Sequence, residues 1–83
     1  MDKLEILQTS LSGRNSEIEN YQINIDNFIR AIDKINSDYL DNPDIVKFRD
    51  NLIELLSQNK TEQLKSIIIR DVIAEQVKEM EDS

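Results

Sequence analysis

Asp38, Asp41, Asn42 and Asp44 crowd into the segment SDYLDNPD. Oxygen donors at that density suit a hard cation such as Ca²⁺. The segment has neither the alternating Asp positions, the Gly nor the distal bidentate Glu of an EF-hand loop, and Pro43 stiffens it. Helix capping and chain reversal account for these residues more simply. No metal site is expected.

Glu79 and Asp82 match the E-x-x-D half of the carboxylate pattern with which helical nucleoside triphosphate pyrophosphatases hold Mg²⁺. A facing helix would have to supply E-x-x-E, and Glu17 and Glu19 are spaced wrongly for it. The pair also lies near the C-terminus, where acids oppose the helix dipole. The chain has no His and no Cys, and its one Gly rules out a Gly-rich phosphate loop. Hydroxyl nucleophiles therefore lack a histidine to activate them. Neither catalysis nor a cofactor is expected, which leaves binding.

The formal charge of −7 shapes what could be bound. Nucleic acid and anionic membrane both select for Lys and Arg, so neither is an expected direct partner. No apolar run approaches the roughly 20 residues that a membrane span needs, and the opening MDKLEILQTS is too polar for a secretory signal. A cytoplasmic setting is expected, in the producing cell or in an infected one. Richness in Ile, Asn, Asp and Lys would suit an AT-rich genome, as many phages have, and hence a phage accessory protein. The acids also suggest a second mode of action. Asp38, Asp41 and Asp44 at the turn, with Glu75, Glu79 and Asp82 toward the C-terminus, would place acidic clusters at both ends of a rod. Such a rod could imitate a phosphate backbone and inhibit a nucleic-acid-binding enzyme. Ten basic residues dilute that signal.

The elements that must position these groups are helices. With 83 residues, one Gly, one Pro and no disulfide, the chain has room for one domain, stabilised by helix packing. Ile18, Tyr21, Ile25, Phe28, Ile32, Ile35 and Tyr39 recur at steps of three and four. The same phase runs back through Leu11, Leu7 and Leu4, with Arg14 interrupting. Gly13 followed by a Ser16/Glu19 capping box marks where a shorter helix could end. A break there would keep the phase only by coincidence, so the spacing predicts one helix over about 2–38. Asn42 as N-cap and Pro43 at the first helical position then open a second arm. Ile45, Phe48, Leu52, Leu55 and Leu56 form its stripe. So short a connection makes the arms antiparallel neighbours, an all-α helical hairpin. Asn59 and Glu62 fit another capping box, so the second arm is either broken near 57–61, with a last helix over about 60–80, or continuous.

The segment KSIIIRDVIAEQV poses the remaining question. On a helical wheel Leu64, Ile67, Ile68 and Val72 gather on one side, and Ile69, Ile73, Val77 and Met80 on the other. A monomeric hairpin covers only one. The first set is expected to pack inside the hairpin. The second, flanked by Arg70, is expected to form an interaction seam, most economically between two copies in a helical-bundle homodimer; the alternatives are a foreign partner, or an arm that bends or breaks and wraps both sets into a monomeric three-helix core. The expected function is that of a non-enzymatic adaptor, assembly chaperone or regulator that binds protein through an apolar helix face.

Overall fold

Asp2 opens the fold of the computed structural model, which describes residues 2–82. Its carboxylate accepts a hydrogen bond from the Glu5 backbone N–H at 2.8 Å, an N-cap that satisfies a donor the first helical turn would leave exposed. Helix α1 then runs from Lys3 to Asp38 without interruption. Gly13 lies inside it with no left-handed backbone, and nothing stands within 4 Å of where its Cβ would be. The Ser16/Glu19 capping box is therefore not used to start a new helix. Continuity follows from the heptad phase: every seam residue from Leu4 to Ile32 is half-buried or buried, and Ile25 and Ile35 are buried outright. Arg14 stays in phase, with its guanidinium 3.2 Å from Glu17.

The chain reverses over 39–42. The Tyr39 N–H still donates to the Ile35 carbonyl, and the Asn42 N–H donates back to the Tyr39 carbonyl, closing a tight turn. The Asn42 side-chain oxygen then accepts from the N–H groups of Asp44 (3.1 Å) and Ile45 (3.2 Å), while Pro43 occupies the first position of α2. Helix α2 extends from Pro43 to Asp82. The possible break at 57–61 does not occur. Asn59, which suggested a cap, bonds to its own helix instead: its amide donates to the Leu55 carbonyl, and nearby the Thr61 hydroxyl donates to the Ser57 carbonyl. With no Gly or Pro to oppose it, the helix continues.

The two helices lie side by side as a rod of 62 × 18 × 14 Å, with no strand among the described residues. Cross-helix hydrogen bonds fix the register. Gln8 donates to Glu81, Gln63 to the Ile18 carbonyl and to Gln22, and Arg49 to Asn36. No described helix is long and apolar enough to cross a membrane.

Candidate interaction surface

An unbroken helix cannot change the face it buries, and this decides the orientation of the isoleucine segment. From Leu52 and Leu56 the three-four phase of α2 continues through Asn59, Gln63, Ser66 and Arg70 to Ile73, Val77 and Met80. Burial follows that line. Leu52, Ser66 and Val77 are buried, and the other residues on it are half-buried. The expected assignment of the two faces is thus reversed. Leu64 (56% exposed), Ile68 (57%) and Val72 (50%) point away from α1, and Ile67 is half-buried on a flank. Ile73, Val77 and Met80, expected as a seam for a second copy, face α1 and belong to the hairpin's own core. Arg70 faces the same way, with its guanidinium 3.0 Å from Asp71. Of the expected seam, Ile69 alone is exposed.

The middle of α2 consequently has an inverted pattern. Facing α1 are Asn59, Gln63, Ser66 and Arg70, which form a polar waist in the hairpin. Across from them the register brings Arg14 to about the height of Arg70, each guanidinium meeting a carboxylate of its own helix. No buried side-chain nitrogen or oxygen among the described residues lacks a partner, so the waist is satisfied rather than strained. Facing water at the same level is the ridge Leu64–Ile68–Val72, with Ile69 beside it. Residues spaced by four form a continuous ridge on a helix surface. The exposed surface of α1 is polar over most of its length, with Ile6, Ile23 and Ile29 as isolated exceptions.

A second apolar region lies beside the turn. Ala31, Lys34, Ile35, Tyr39, Ile45 and Phe48 line a surface pocket of about 370 Å³. Phe48 stands half exposed at its edge.

The six acidic residues expected to form a contact surface fall into two separate groups. Asp38, Asp41 and Asp44 are exposed at the turn tip, and Glu75, Glu79 and Asp82 are exposed toward the other end of the rod. The fold does not bring the two sets together. Among the described residues no three acidic side chains are grouped so as to hold a metal ion. The four ion pairs found there each join residues of a single helix, so electrostatics between helices contributes little to the hairpin.

Phase arithmetic carried forward from Leu52 and Leu56 would have found the correct inward face, because it is a property of the continuous helix. Local apolarity pointed the other way, toward the cluster that proves to be exposed. In comparisons with known proteins, no family model, no curated protein and no solved structure matches this chain.

Proposed function

We propose that the protein is a non-enzymatic binding module, an adaptor, assembly chaperone or regulator, that acts through the outward apolar ridge of α2 and associates with itself as a homodimer. One observation carries this: at 63–72 Gln63, Ser66 and Arg70 face the partner helix, while Leu64, Ile68, Ile69 and Val72 face solvent. A hairpin whose only task was to fold would place them the other way round, since burying apolar surface is the main favourable term in folding. An exposed contiguous apolar patch is the usual mark of an interaction site. Sedimentation or light scattering of the full chain over a range of concentrations tests the proposal. A species of twice the chain mass that dissociates on dilution is expected. A monomer throughout refutes self-association.

A second mode of action rests on the separation of the acidic groups. With exposed carboxylates at both ends of a narrow 62 Å rod, the protein presents negative charge at a spacing that a basic groove could span. Salt distinguishes the two modes for any partner found: charge mimicry weakens steeply with ionic strength, whereas apolar helix packing hardly responds.

A further inference from the structure

Resting on the proposed self-association, we infer its geometry: α2 pairs with α2 of a second copy in antiparallel sense, across a two-fold axis that passes beside Ile68. The ridge is symmetric in shape about that residue, with Leu64 one turn before it and Val72 one turn after. A two-fold axis at Ile68 places Ile68 against its own counterpart and Leu64 at the level of the other copy's Val72. Ridges of residues spaced by four, packed against each other, cross at about −50°, the commonest helix-packing class.

Charge selects the direction. On the exposed side of α2, Lys60 and Lys65 outnumber Glu54 before Ile68, with Glu62 on the flank, and Asp71, Glu75, Glu79 and Asp82 outnumber Lys78 after it, so the first stretch is weakly basic and the second acidic. Antiparallel pairing sets the basic side of one copy against the acidic side of the other, twice over. Parallel pairing sets lysine against lysine and glutamate against glutamate. A foreign partner would have to match both the ridge and this polarity, whereas a second copy turned end for end supplies both. The existing pairs Lys65–Glu62 (2.9 Å) and Arg70–Asp71 (3.0 Å) do not oppose the arrangement. Lys65 and Asp71 have side chains 64% and 57% exposed, and such surface pairs exchange partners at little cost.

The area sets the strength. Four half-exposed aliphatic side chains offer on the order of 250 Å² of apolar surface per copy. Flanking polar residues enlarge the contact, but it stays at the small end of specific interfaces. A dissociation constant on the order of 1–10 µM is expected.

The chain contains no cysteine, so single-cysteine variants of the full protein report the geometry directly. Positions 61, 68 and 75 all lie on the outer face, one heptad apart. In the antiparallel pair Ile68→Cys meets its own counterpart and forms a disulfide dimer under mild oxidation. Thr61→Cys and Glu75→Cys lie about 10 Å from the axis and so about 21 Å from their own counterparts. At that distance from the axis, helices crossing at about −50° have parted by roughly 9 Å, so a bifunctional thiol reagent of about 10 Å span joins them, and only when the two variants are mixed. Ile68→Glu, exposed in the hairpin and so compatible with its fold, weakens dimerisation at least about 30-fold with unchanged helicity. A dimer in which Ile68→Cys fails to cross-link, or in which Thr61→Cys links to itself, overturns this geometry and leaves self-association standing. A protein monomeric at about 100 µM, far above the dissociation constant expected, overturns both.

Discussion

Val72 and Val77 lie five residues apart on one helix and allow the orientation of α2 to be tested with a single kind of substitution. Val77 is 8% exposed against α1, and Val72 is 50% exposed on the outer ridge. Val→Ala removes two methyl-sized groups, each contributing about 0.8 kcal/mol when buried. At Val77 nearly all of that is lost, and the space left behind adds a cavity term. At Val72 about half is lost. Both substitutions gain roughly 0.5 kcal/mol of helix propensity, because alanine does not restrict χ1 in a helix. The net expectation is a destabilisation of about 1–2 kcal/mol for Val77→Ala and a change within about 0.5 kcal/mol for Val72→Ala. Urea unfolding followed by circular dichroism reads the difference. With a slope of about 1 kcal/mol per molar for a chain of this size, the Val77→Ala midpoint falls by roughly 1–2 M. The measurement belongs in dilute protein or in an Ile68→Glu background, where pairing through the ridge cannot add to the Val72 effect. Equal shifts, or a larger one at Val72, would refute the orientation and with it the exposed ridge.

Two further outcomes follow from the helix ends and interiors. Asn42→Ala removes the acceptor of two backbone N–H groups at the start of α2, and should cost about 1 kcal/mol, a fall in Tm of about 4–8 °C by calorimetry. Gly13→Ala should raise Tm by a similar amount, since the added Cβ meets nothing and the helix interior gains about 1 kcal/mol; a fall would show that α1 is not helical at that point.

How much of this structure was legible in the sequence differs between the helices. α1 announces itself because its apolar residues keep one phase for its whole length, and only Arg14 departs from the pattern. The Asn42–Pro43 start of α2 is equally plain, since each residue suits a position that few others suit. Within α2 the local signals conflict with the helix as a whole. Asn59 is a good cap in isolation, yet its amide folds back onto Leu55 when the chain continues helically. Leu64, Ile67, Ile68 and Val72 form the densest apolar cluster, and density is the ordinary guide to a core. They miss the partner helix because Leu52, Leu56, Val77 and Met80 at either end fix the rotation between them. The interaction surface is therefore visible only as a contradiction between composition and phase, which requires the element's continuity to be known.

The polar waist has a consequence for how the hairpin opens. It divides the apolar seam into two zippers. One near the turn holds Ile25, Phe28, Ile32 and Ile35 with Leu52 and Leu56, and one at the far end holds Leu4, Leu7 and Leu11 with Ile73, Val77 and Met80. The turn tethers the first zipper at short loop length, so its closure entropy is small. The second closes across a loop that includes the whole of the first. Between them Gln63 donates across to the Ile18 carbonyl and to Gln22, bonds that water replaces at low net cost, while Arg70 pairs with Asp71 of its own helix and loses nothing on opening. Separation of the far ends can therefore stop at the waist without breaking the turn-side core. Backbone amides of 3–11 and 73–82 would exchange with solvent through this partial opening, and those of 25–35 and 45–56 only through global unfolding. The molecule behaves as a clasp with a fixed hinge and a breathing mouth, and the exposed ridge of α2 spans the line between them.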